Sequence, residues 1–477
     1  MAFAPHHSYP KTSSSSSSST SPSQTLTLTL THLPDDPLLS ILRLLPAPSL
    51  LALSATCRRL RRLAAADALW EHLFRRDWGD AAADALLPSS SSSSSSSSGD
   101  GGGKRRGVAW RRLYQQVSQL GSLSCRRLSL SGGGGASPRP RASLSLNFVA
   151  GWLVLFGGGC EGGRHLDDTW VAYIGNGFDR VLSWQKLNSG IPTGRFGHTC
   201  ALVGNCLVLF GGINDSGLRL NDTWIGEIDL RRPLEINISW RLLDVGSVLP
   251  PPRGAHAACS IGDRTMAIHG GIALDGRRLS DTWLLDLSEG LTSGNWHQLL
   301  NPCPSPPPRS GHTLTSIDET LMVLFGGRGS GYEVLNDLWL FDASKGYPEW
   351  KEIYMLDEMP PLPRVGHSAT LILGSKILIY GGEDSQRHRK DDFWVLEAAN
   401  LLKLRPDSMK TRKKMWKKLS VEGQSPNCRS FHGACADRSG RYVYVFGGMV
   451  DGVVHPAEAY GLRFDGDLYQ VELMLQL

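Results

Sequence analysis

A double glycine at the end of an apolar run occurs six times in this 477-residue chain, and no other feature restricts its fold as much. The copies read LVLFGG at 153–158, LVLFGG at 207–212, MAIHGG at 266–271, MVLFGG at 322–327, ILIYGG at 377–382 and VYVFGG at 443–448. Gly157 and Gly447 lie 290 residues apart in five steps, an average of 58 per step. That is longer than the roughly 40–45 residues of one common propeller repeat and nearer the roughly 50 of another.

Each unit has the same grammar. An Arg-x-Gly-His start opens a first strand at Arg195–His198, Arg309–His312 and Arg364–His367; Arg253–His256 shifts the glycine by one, and Arg429–His432 lacks it. The second strand ends in Gly-Gly. The third follows Asp-x-Trp at Asp168, Asp222, Asp281, Asp337 and Asp392, and the fourth begins at Trp184, Trp240, Trp296, Trp350 and Trp416. Paired glycines allow positive φ and close backbone approach, and a large flat indole wedges neighbouring sheets apart at a fixed distance. Four strands in each of six units describe an all-β six-bladed propeller, a fold with few open sheet edges.

The ends of the repeat are out of register. The last unit supplies a first strand near Ala434, a second ending at Gly448 and a third near Asp467–Glu472, but no clear fourth. Cys125-Arg-Arg-Leu128 has the spacing of Trp184-Gln-Lys-Leu187, so residues 125–130 are expected to close the ring as the missing strand. Arg139 or Arg141 would then start the first blade, giving a propeller over 122–477.

Upstream, residues 1–31 are Ser/Thr-rich and are expected to be disordered. A Ser/Gly tract at 89–103 reads as a tether within an 81–121 linker that ends in a short helix. Between them, 32–80 is helical. Asp35 or Asp36 would cap a first helix with Leu38, Ile41, Leu42 and Leu45 at three- and four-residue spacing, and Pro46 and Pro48 would stop it. Ser49 would cap a second helix carrying Leu50, Leu53, Cys57 and Leu60. Asp67 would open a third with Leu69, Trp70, Leu73 and Phe74. So small an all-α module needs a partner to cover its apolar surface.

Leu33-Pro34, the Leu-rich helix, the Pro break, Ser49-Leu50, Cys57-Arg58 and Trp70 together resemble an F-box, and Trp110-Arg-Arg-Leu-Tyr114 resembles the segment that often trails one. The six repeats over 122–477 resemble a kelch propeller. The combination implies a substrate-recognition subunit of an SCF-type ubiquitin ligase. Leu33, Pro34, Leu38, Ile41, Leu42, Leu45, Pro46, Leu50, Leu53, Cys57, Arg58 and Trp70 would bind the Skp-type adaptor, and through it the cullin. The propeller would hold an unidentified protein target. The alternatives are a non-degradative kelch scaffold and a propeller enzyme. The latter resembles the metal-dependent kelch enzymes only loosely, since Glu383-Asp384 before His388 lacks the iron-site spacing of the plant nitrile specifiers.

Two readings of the repeated arginines 195, 253, 309, 364 and 429 stand open: a target-binding rim suited to bidentate contacts, or internal bonds to loop carbonyls and to the Asp of Asp-x-Trp. More selective contacts are expected from irregular loops after each Gly-Gly, namely Arg164 and His165, Asn214 and Asp215, Asp275 and Arg277, Arg328, Glu383, Asp384 and Arg387, and Asp451. Histidines 198, 256, 312, 367 and 432 fall one per blade and are expected to be structural, because metal ligands must converge. No nucleophile elbow, phosphate loop or zinc-protease motif occurs, so no catalytic residue, cofactor or metal is expected. Residues 410–418, KTRKKMWKK, read as a solvated loop or a nuclear signal.

A net charge of +5 is too small for this length to argue for nucleic acid or membrane by itself. Nine cysteines without a Cys-x-x-Cys pair read as reduced thiols. No apolar run is long enough for a signal core or a membrane span, so a cytoplasmic or nuclear protein, or one in both places, is expected.

Overall fold

The computed structural model describes residues 32–86, 109–128, 136–174, 183–232, 235–300, 304–343, 348–355, 360–403, 410–411, 414–451 and 462–475. The 1–31 and 89–103 tracts, Gly132–Gly135 and the last two residues of the expected 125–130 strand lie outside the described residues. The chain divides into two compact units after Leu69, inside a helix rather than at the expected boundary of 80.

In the first unit, α1 (Asp35–Leu44), α2 (Ala47–Ser54) and α3 (Arg58–Ala64) pack through Leu38, Leu42, Leu50 and Leu63, all buried. Two local expectations fail here. Pro34 and Pro46 hold the N-cap positions of α1 and α2, so neither Asp35 nor Ser49 caps a helix. Asp35 instead accepts from Arg59 at 2.6 Å and Arg62 at 2.9 Å, tying the start of α1 to α3. The expected second helix is two, because the chain breaks at Ala55–Cys57 and the Cys57 thiol accepts from Leu60 N–H to start α3.

The second unit begins at Trp70, one turn into α4 (Asp67–Trp78), and includes α5 (Asp80–Leu86) and α6 (Trp110–Ser118). An aromatic cluster explains the division. Trp70 meets Tyr114 edge-on at 5.1 Å, Phe74 meets Trp110 at 5.4 Å, and Trp78 meets Tyr114 at 4.3 Å between centroids. Tyr114 donates its hydroxyl to Asp77 at 2.5 Å. Such pairs add about 0.5–1.5 kcal/mol each beyond area burial, and they tie the helix end to this unit.

The remainder builds six blades on a common plan of four antiparallel strands. Blade one comprises Ser145–Val149, Trp152–Phe156, Thr169–Tyr173 and Trp184–Asn188, paired in that order. The first strands of successive blades touch one another around the ring, and the sixth, Gly433–Ala436, touches the first. They therefore line the axis. Second strands such as Cys206–Ile213 are almost wholly buried, as a strand packed on both faces must be.

Blade six holds the closure. Its third strand is Leu468–Leu473, and its fourth position is filled by Ser122–Leu128, which starts three residues earlier than expected and pairs from Leu123↔Leu473 to Leu128↔Leu468. A fifth strand was not expected: Ser420–Gly423, leaving blade five, adds in parallel on the outer side of Ser122–Leu128. The closing strand is thus held on both edges. The first blade starts at Arg141, not Arg139.

The double glycines seal blade to blade. Gly211 and Gly212 have φ of +64° and +101°, and a Cβ there would lie 2.8 Å from the Arg253 carbonyl oxygen and 2.9 Å from the His198 Cβ. In the last blade, Gly448 N–H donates to the Arg141 carbonyl at 2.8 Å, so this contact also joins the two ends of the ring.

Candidate functional site

The repeated arginines are not a rim. Arg141, Arg195, Arg253, Arg309, Arg364 and Arg429 are all 0% exposed. Arg253 shows the pattern: its two terminal nitrogens donate to both oxygens of Asp281 at 2.8 Å, one of them also donates to the Gly270 carbonyl at 3.0 Å, and Nε donates to the Pro251 carbonyl at 3.0 Å. Trp283 Nε1 donates to the same Asp281 at 2.7 Å. Burial alone would raise the Asp281 carboxyl, but the bonds and charge of Arg253 outweigh it and hold it below the usual carboxylate range. Asp222, Asp337 and Asp392 play the same part for Arg195, Arg309 and Arg364. In the last blade the acid is Asp465, 3.0 Å from Arg429, rather than Asp467. Every guanidinium nitrogen of the buried arginines 195, 253, 309, 364 and 429 donates inside the propeller, so these five leave the set of target-binding residues.

The histidines link neighbouring blades. His198 Nε2 lies 3.2 Å from Ser145 Oγ, His256 Nε2 2.8 Å from Thr199 Oγ1, His367 Nε2 3.0 Å from Thr313 Oγ1, and His432 Nε2 2.8 Å from Ser368 Oγ. Where the hydroxyl position is Ala257, neither nitrogen of His312 has a hydrogen-bond partner. His269, which replaces the aromatic residue before Gly-Gly, packs edge-on against that ring at 5.4 Å. Burial is the main cause that pushes His198, His269 and His367 down to about 3, and it holds His256, His312 and His432 well below the ordinary range.

These rings stay neutral in the folded chain, while the unfolded chain takes up protons below about pH 6.5. Their contribution is therefore complete above pH 6.5 and lost as pH falls toward 3, at roughly 1.4 kcal/mol per pH unit for each ring. Urea unfolding is expected to show a much lower midpoint at pH 5 than at pH 7.5. A midpoint unchanged over that interval would contradict the burial of neutral rings.

The face carrying the Gly-Gly loops also carries the connections between blades, because each first strand starts there and each second and fourth strand ends there. Its centre is floored by backbone. Ser143, Gly197, Ala255, Gly311, Gly366 and Phe431 each donate N–H to the carbonyl of the equivalent residue in the preceding blade, at 2.6–3.0 Å, and the chain of bonds closes on itself. All six have positive φ. The Phe431 ring lies against Gly366, where a Cβ would meet it at 2.8 Å. This floor was not legible from the Arg-x-Gly-His pattern, since three of the six positions, Ser143, Ala255 and Phe431, are not glycine.

Around the floor, Arg164, Arg277 and Arg387 are exposed, and Arg328 is one-fifth exposed. Glu383 is not available to a partner: it is buried, accepts from Ser430 at 2.9 Å and lies 3.6 Å from Arg328 and 3.4 Å from Arg389. Asn214 accepts from Ser216 and Leu218 N–H and so shapes its own turn. Asp384 does the same for Gln386 and His388. Asp215 holds His165, Asp275 holds Arg277 and Asp451 holds Arg389.

Among the residues expected to bind an adaptor, Leu38, Leu42, Leu50 and Trp70 are buried and serve the packing of their own units. Pro34, Pro46 and Arg58 are exposed, while Leu33, Ile41, Leu45, Leu53 and Cys57 are half-buried. Two apolar residues missed by the helical pattern are open to solvent, Leu44 at 80% and Leu51 at 39%. Their positions one residue off the apolar stripe of each helix were the available signal.

Comparison with known proteins adds to this geometry. A family model described as the KLHDC2/KLHL20/DRC7 Kelch-repeats domain matches residues 101–320, 197–401 and 348–473, and an F-box-like model matches 30–76. The F-box/kelch-repeat protein At1g51550 of Arabidopsis thaliana is 52% identical over 459 residues, 93% of this chain and 92% of that protein. Adagio-like protein 3 of Oryza sativa subsp. japonica is 30% identical over 86% of this chain and 59% of its own length. The solved structure of YjhT aligns at a TM-score of 0.50 and 13% identity over 70% of this chain and 95% of that one, a likeness of fold.

Proposed function

Since the chain belongs to the F-box/kelch-repeat proteins, we propose that it is the substrate-recognition subunit of an SCF-type ubiquitin ligase. Its helical module binds a Skp-type adaptor, and through it a cullin, while the propeller binds the protein to be modified. The chain itself transfers nothing. The observation that carries this reading is the pairing of a small helical module that leaves Leu44 and Leu51 open with a propeller whose repeated charges are consumed internally. Two exposed leucines on successive helices of a module this small favour a partner surface, and a rigid scaffold with irregular loops favours recognition. The free thiols of the described cysteines fit a reducing compartment, the cytoplasm, the nucleus or both.

Leu44→Asp tests the adaptor half. Leu42 is unsuited to the purpose, since it is buried and its loss would unfold the module. The Leu44→Asp chain is expected to keep its helical content and lose adaptor capture by at least about tenfold, measured by titration with purified Skp-type adaptor. Undiminished binding would contradict the assignment.

A further inference from the structure

The Gly-Gly face is uneven around the ring. Leu218, Leu274 and Tyr332, in the Gly-Gly loops of blades two, three and four, are all exposed, Tyr332 at 71%. Ile191, Val248, Leu300 and Leu362, in the four connections that lead from blade one to blade five, are also exposed, Leu300 at 91%. Seven successive loops on one side of the face thus each present a large apolar side chain. Among the described residues on the other side, at 160–166, 384–390 and 424–427, none does. A single exposed leucine is ordinary, but one on every loop of one sector marks a surface that a partner covers.

Charge points to the partner. Arg278 reaches inward to donate to Ser310 at 3.1 Å, beside the floor residue Gly311, and lies 4.6 Å over the Tyr332 ring. Neither Arg278 nor Arg219 has a carboxylate partner among the described residues, and the Nε atoms of Arg219 and Arg328 are buried without an acceptor. Among the described residues the one carboxylate that pairs with Arg328 is Glu383, which Arg389 shares. Arg219, Arg278 and Arg328 thus stand at the mouth as cations with no carboxylate of their own among the described residues, edged by apolar side chains.

We propose that an extended protein segment docks across blades two to four, its acidic side chains on Arg219, Arg278 and Arg328 and its apolar side chains on the arc. This inference rests on the reading of the propeller as the target-binding part, and it names the sector and the chemistry. The apolar arc favours a polypeptide over a nucleic acid, which would need basic rather than apolar flanks.

The probe is a library of random linear peptides displayed on phage and selected against the full chain, followed by titration of selected peptides. Enrichment of peptides combining acidic and apolar residues is expected. Their affinity should fall about tenfold or more with Arg278→Glu or with Leu274→Asp, and stay unchanged with Leu230→Asp on the opposite face. Leu362→Asp provides a second arc substitution, and each variant should melt as the unaltered chain does. Selected peptides that are neutral or basic, that bind the Arg278→Glu and Leu274→Asp chains undiminished, or that are displaced by a single-stranded oligonucleotide would overturn the proposal. So would a selection that enriches nothing. The broader reading is judged separately, by whether a cellular partner is lost when the propeller is removed. A partner that needs the propeller but ignores the arc substitutions would sink the sector and spare the function.

Discussion

A chain that starts at residue 129 is expected to melt far below one that starts at residue 120, and to aggregate as it unfolds. The difference between them is the closing strand Ser122–Leu128. It buries Leu123 and Cys125 completely and pairs with Leu468–Leu473 on one edge and Ser420–Gly423 on the other. Removing it opens the edges of both strands, a recognised route to aggregation, and forfeits about 1.5–3 kcal/mol for each large apolar side chain it buries. The axial contacts remain, since Gly448 still reaches Arg141 and Ser143 still reaches Phe431, so the ring loosens at its circumference before its centre. In the whole chain, Leu123→Ala alone should cost about 2–5 kcal/mol. Equal melting and equal light scattering for the two chains would show that Ser122–Leu128 does not close the propeller.

The second large effect concerns the buried arginines. Arg253→Ala is expected to destabilise the propeller by about 3–5 kcal/mol, because it leaves the Asp281 carboxylate and the Gly270 carbonyl buried without their donor. Arg277→Ala, at an exposed position paired only with Asp275, should change stability by no more than about 1 kcal/mol. Denaturant unfolding of the two variants measures the contrast directly. Similar losses for both would contradict the distinction between buried and surface arginines.

The parts of the fold that were legible in the amino-acid sequence are those where residue type is forced. The Gly-Gly pairs are required at positive φ against a neighbouring backbone, and the Asp-x-Trp pairs sit where an indole and a guanidinium share one carboxylate. The arginines were ambiguous because the same side chain suits a partner or an internal bond. For Arg195, Arg253, Arg309 and Arg364 the distance of 27 or 28 residues to the Asp-x-Trp acid was the signal for the internal one, whereas Arg429 lies 36 residues from Asp465. The break at Ala55–Cys57 was hidden because Leu50, Leu53, Cys57 and Leu60 keep helical spacing across it, and a thiol is not a common cap. The arc on the Gly-Gly face was invisible for another reason. One apolar residue in one turn means nothing, and only the topology reveals that seven such turns lie side by side. Trp70 read as a contact residue since it falls on the stripe of its helix, but the stripe faces Tyr114.

We propose that one end of this chain recruits a ubiquitin ligase to whatever the other end holds. This is tested most directly by quantifying the proteins, and the ubiquitin attached to them, that co-purify from cells with the unaltered chain and with its Leu44→Asp form. A set of partners is expected to carry ubiquitin on the unaltered chain and to accumulate, unmodified, on the Leu44→Asp chain. The same partners at the same abundance with the same modification on both chains would contradict it.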